Sequence, residues 1–232
     1  MQANAGDLAY DPTICGLTSV IENLISDYRG YKFTISSLPY IQTYPEDFLK
    51  EHCPDAQSLE ASFLVTVIED ETFLGIHLSQ NIATILSGCT RLDELLKNPE
   101  GLNAFFILTE EISHFHYYIH MTQIGRPISL FDLELQAELD KIVVTSLVMN
   151  TMFGQTHMRE LVLLLFNQST VTGHLTDYQL ASRIAERFWK SHLSDFGPSM
   201  LFDRRIRAHL NRIFMATGEE KRQILQTNIR AA

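Results

Sequence analysis

Two stretches with helical spacing flank the short break Gly125-Arg126-Pro127, and this pattern constrains the fold more than any other. In the first, Ala104, Ile107, Glu111, His114, Tyr118 and Met121 recur at intervals of three and four, which places them on one face of a helix. Beside them runs a wholly apolar stripe, Phe105, Leu108, Ile112, Phe115 and Ile119. In the second stretch Phe131, Leu135, Glu138, Ile142, Thr145 and Met149 form a stripe interrupted by one acid. Long helices joined by so short a connection lie antiparallel. The expected fold is therefore mainly α, a helical bundle around the antiparallel pair 99–122 and 129–149, with Ser129 as the cap of the second helix.

The remaining segments are read around that pair. Further helices are expected at 156–166, 177–193, 202–214 and 219–228, and shorter ones at 80–86, capped by Ser79, and 90–96, capped by Thr90. Residues 62–78 contain two runs rich in β-branched and aromatic side chains around Glu69-Asp70-Glu71, which predicts a small β-hairpin. A helix there is the alternative, and it would make Glu71 an additional acidic group on a bundle helix. Pro39, Pro45 and Pro54 mark residues 1–57 as an irregular N-terminal segment packed on the core, with a short helix over 18–28 and one turn after Pro45. Residues 58–232 then form a single mainly helical domain.

Charge and cysteines limit the function classes. The net charge is −10. Residues 1–182 carry 8 basic and 23 acidic side chains, whereas residues 183–232 carry 10 and 5. Nucleic-acid binding by the acidic body is disfavoured, because phosphate contact relies on clustered Lys and Arg. The basic end docks either on the chain's own acidic body or on an acidic partner. No apolar run approaches the roughly 20 residues that span a bilayer, so no membrane insertion is expected. Neither is a secretory signal, since Met1 to Asp11 lacks a basic stretch followed by an apolar one. Three widely separated cysteines, Cys15, Cys53 and Cys89, suit a reducing, cytoplasmic setting.

The chemistry-bearing residues sit on the central pair. Glu111 and His114 are three apart and project the same way, and Glu134 and Glu138 lie on the next helix. Counting outward from Gly125 sets His114 opposite about Ala137 and Glu111 opposite about Asp140, with Glu138 between these levels. Burying several carboxylates together is unfavourable unless something compensates. A divalent or trivalent cation is one solution, and Glu with His suits iron, manganese or zinc. The other is a structural polar layer in which Lys141, Tyr118, Ser113 or Arg126 neutralises or hydrogen-bonds the acids.

Glu111-x-x-His114 followed by Glu138 on the next helix resembles half of the site in ferritin-like di-iron carboxylate proteins, over roughly residues 104–142. In those proteins four helices hold the metal, two giving a Glu and two a Glu-x-x-His. The resemblance implies Glu111 and His114 as ligands and Glu134 or Glu138 as a bridging carboxylate, with iron or manganese as the cofactor. This chain departs from the pattern in having no second Glu-x-x-His; His157-Met158-Arg159-Glu160 is reversed, and Trp189 follows Glu186 where a His is required.

Other histidines read differently. His192 and His209 continue apolar stripes, as core histidines do, and His116 with His120 lacks the intervening Glu of a zinc peptidase. No Gly-rich phosphate loop, nucleophile elbow or dinucleotide fingerprint is present. Arg204, Arg205, Arg207 and Arg212 form the densest basic run. Two functions follow as expectations. The first is a metal-binding helical protein of oxidase or oxygenase type, with Glu111, His114, Glu134 and Glu138 holding one or two ions. The alternative is a non-enzymatic interaction or regulatory module, recruiting a protein partner or a second copy, in which the acidic hairpin is structural.

Overall fold

The computed structural model describes residues 14–89, 91–153, 176–193 and 204–226. The fold is mainly α with one small sheet. The chain divides into two compact units, residues 1–22 with 34–115, and residues 23–33 with 116–232. Helices α1 (Ile14–Arg29) and α5 (Pro99–Gln123) contribute residues to both.

In the first unit the sheet has the order β1 (Ile41–Gln42), β3 (Glu71–Leu78), β2 (Ala61–Ile68). β1 runs parallel to β3 and β2 antiparallel to it. The hairpin expected at 62–78 is present and the helix alternative is overturned, because Val, Ile, Thr and Phe fit a pleated, half-buried surface. Its turn is tighter than the sequence suggested. Ile68 pairs with Glu71, so only Glu69 and Asp70 connect the strands, and both adopt positive φ, 51° and 65°. That is the turn geometry whose twist matches paired strands, usually built from Asn-Gly. Leu64 of β2 packs with Tyr44, Leu49 and Ala56, the last two from α2 (Glu46–His52) and the turn after it. Gly75 is required there, since a Cβ would sit 2.3 Å from the Tyr44 hydroxyl oxygen.

α3 (Gln80–Gly88) starts as the sequence predicts, with the Ser79 hydroxyl accepting the Ile82 N–H at 3.3 Å. α4 spans Leu92–Lys97; the predicted cap, Thr90, lies outside the described residues. Asn98 Oδ1 then accepts the Glu100 N–H at 3.0 Å, and Pro99 opens α5, the position where a missing N–H is harmless.

In the second unit α6 (Leu130–Phe153) is buried without a break from Leu135 to Met149. Ser129 caps it, accepting the Asp132 N–H at 3.1 Å and donating to Asp132 Oδ2 at 2.6 Å. This is a reciprocal box with Asp in the usual Glu position. Gly125, with φ +67°, ends α5 before it. α7 (Thr176–Phe188) packs on α6 and continues through one wide turn, Trp189–Leu193. α8 (Arg204–Met215) turns inward Ile206, His209, Leu210, Ile213 and Phe214, and α9 (Gly218–Gln226) turns inward Lys221, Ile224 and Leu225. The helix predicted at 156–166 lies outside the described residues.

Candidate functional site

On α5 the neighbours Phe105, Leu108, Ile112 and Phe115 are fully buried, so the turn carrying Glu111 and His114 is drawn into the core with them. Glu111 is 7% and His114 8% exposed. Glu111 Oε2 stands 3.5 Å from His114 Nδ1. The Glu111 carboxylate also accepts the backbone N–H of Phe63 in β2. Burial raises its pKa above the ordinary carboxylate value and Glu110 pushes in the same direction, while His114 pulls it back. Glu110, half-buried, brings a carboxylate oxygen within 4.8 Å of a ring nitrogen of the same His114. The sequence pointed to one carboxylate beside the ring, three residues back. The structure adds the one four residues back, and i,i+4 spacing was the available signal.

On α6 the acids are otherwise engaged. Glu138 is buried with Oε1 2.5 Å from Lys141 Nζ. Lys141 was one of the residues expected to neutralise the acids. Asp140, fully buried, accepts hydrogen bonds from Arg29 Nη2, the Tyr28 hydroxyl and, at 2.8 Å, Gln136 Nε2. Arg29 lies with its guanidinium 3.9 Å over the Phe214 ring. No sequence pattern announced this pair, because Arg29 ends a helix more than a hundred positions earlier. Glu134 is half-buried on the same helix.

A third buried basic side chain is Lys221, with no exposed surface. Its Nζ donates to the Asp132 carbonyl at 3.3 Å and lies 4.1 Å over the Tyr117 ring. Burial lowers its pKa to about 7, against the raising effect of Asp132 and Asp140.

Among the described residues His209, His116 and His120 are packed as core groups. His209 stacks on Phe188 and His116 on Phe33. His120 Nε2 is 3.1 Å from Met215 Sδ, and Tyr31 meets its ring edge-on. The side chain of His192 lies outside the described residues. On α8, Arg204, Arg205 and Arg212 are exposed and Arg207 is half-buried. Among the described residues no helix is long and apolar enough to cross a membrane. No family model, curated protein or solved structure matches this chain.

Proposed function

We propose that this is a metal-binding helical protein whose ion, iron or manganese, is held at the α5 turn by Glu110 and His114. The observation that carries the reading is the α5 turn, where two carboxylates and one imidazole converge, Glu111 and His114 buried and Glu110 half-buried. Glu111 takes the orienting part. A carboxylate at Nδ1 holds the ring so that Nε2 serves as the ligand atom, the usual arrangement around a metal-bound histidine. Its contact with the Phe63 N–H anchors that carboxylate to the sheet. Glu138 is already compensated by Lys141 and needs no ion. Iron or manganese held there would activate dioxygen, which makes an oxidase or oxygenase the proposed reaction class.

The second reading, an interaction or regulatory module with a structural acidic layer, is favoured by the engagement of Glu138 and Asp140 with cations. Elemental analysis of freshly purified protein beside His114→Ala and Glu110→Gln separates the two. Near-stoichiometric iron or manganese that disappears in both folded variants supports the metal centre. A metal-free wild type that also takes up neither ion on dialysis refutes it.

A further inference from the structure

β2 is the edge of its sheet, bounded by β3 on one side only. The two-residue turn closes on the pair Ile68 and Glu71. In an antiparallel ladder this directs the backbone groups of Ile68, Thr66 and Leu64 towards β3, and those of Val67, Val65 and Phe63 away from it. The hydrogen bond from the Phe63 N–H to Glu111 confirms the alternation independently. Beyond Phe63 the edge is open among the described residues. The outward peptide groups of Val65 and Val67 meet no partner among the described residues, and their side chains are 43% and 67% exposed.

Edges of this kind are ordinarily defended by a lysine, a proline or a bulge. Ala61–Ile68 contains no charge and no proline, and its pairing with β3 proceeds without a bulge. The acids stand around it instead, with Glu60 before the strand and Glu69, Asp70 and Glu71 exposed at the tip. A second copy of a chain with net charge −10 would bring the same acids against them. A basic strand would not.

We propose that the Val65–Val67 edge receives one extended strand of a partner protein, apolar at alternate positions and carrying Lys or Arg beside Glu69 to Glu71. Backbone pairing supplies affinity, and the two valines with the acidic tip supply selectivity. The proposal does not rest on the metal centre, although Glu111 holds the Phe63 N–H on the same edge.

The probe is a synthetic peptide of alternating valine and threonine with lysines at both ends, titrated against the full chain by fluorescence anisotropy. Binding is expected, weaker by about tenfold or more when glutamates replace the lysines, with slowed hydrogen exchange at the Val65 and Val67 amides. Val67→Pro removes one outward N–H without touching the ladder to β3, and it is expected to weaken binding by at least about tenfold, equivalent to losing roughly one hydrogen bond. Val67→Lys, at an exposed position, serves as the second variant should the proline unfold the hairpin. No binding of the lysine peptide, equal affinity for the glutamate peptide, or indifference to both variants overturns the proposal. Dimerisation of the chain alone that either variant abolishes overturns it in favour of a second copy.

Discussion

On α6, Glu138 and Asp140 are buried with cations in contact, Lys141 for one and Arg29 for the other. On α5, Glu111 is equally withdrawn from water, yet what touches it is an imidazole and a peptide N–H. The first arrangement balances its charge internally. The second brings Glu110 and Glu111 to one histidine. A cation contributed from outside would matter little to the α6 pairs and a great deal to the α5 turn. Buried acids alone therefore do not mark a metal site; what surrounds them does.

The comparison is most exposed to failure at Asp140. Asp140→Ala leaves the Arg29 guanidinium buried and unpaired, and should cost roughly 3–5 kcal/mol in urea unfolding. A loss under 1 kcal/mol would mean that the pair is not closed as described. Next is Lys141→Met, expected to destabilise by roughly 2–4 kcal/mol, because Glu138 then loses its ammonium. Adding Glu138→Leu should recover most of that loss. A double variant as weak as the single one would place the stabilisation elsewhere, for instance in the contact of Lys141 with the Tyr178 ring.

Lys221 offers a test with a sign. In the fold its amine is protonated only below about pH 7, whereas in the unfolded chain protonation begins below about 10.4. Its folded pKa is lowered, so its effect on stability is least unfavourable above pH 10 and grows more unfavourable as the pH falls towards 7. The change is roughly 1.4 kcal/mol per pH unit, and it levels off below 7. Urea midpoints of wild type and Lys221→Met between pH 7 and 9 should diverge accordingly; parallel curves would show an ordinary, charged lysine. The smallest effect belongs to Glu111→Gln. The amide oxygen still accepts the Phe63 N–H, so unfolding should move by no more than about 1 kcal/mol. Metal affinity should fall about 10- to 100-fold if Glu111 orients His114. Unchanged affinity would remove it from the centre.

Much of this architecture was legible in the residues alone. Periodicity and breakers announced α5, α6 and the hairpin, and Ser79 and Ser129 cap the helices they were expected to cap. The α5 turn was legible because Glu111 and His114 are three residues apart, and a helix dictates that such side chains meet. The hairpin turn was read one residue too long, since Glu69 and Asp70 are poor signals for the positive φ that both adopt.

The amino-acid order thus determined which segments are helix or strand and which neighbours on one helix share a face, because both depend on interactions a few residues long. Only the tertiary structure decided which acids are neutralised. Arg29 and Asp140 are distant in sequence, as are Lys221 and the Asp132 carbonyl, and no local pattern encodes their meeting. Whether a buried carboxylate is a spent ion pair or a ligand depends on the charges within a few ångströms of it, and packing supplies those.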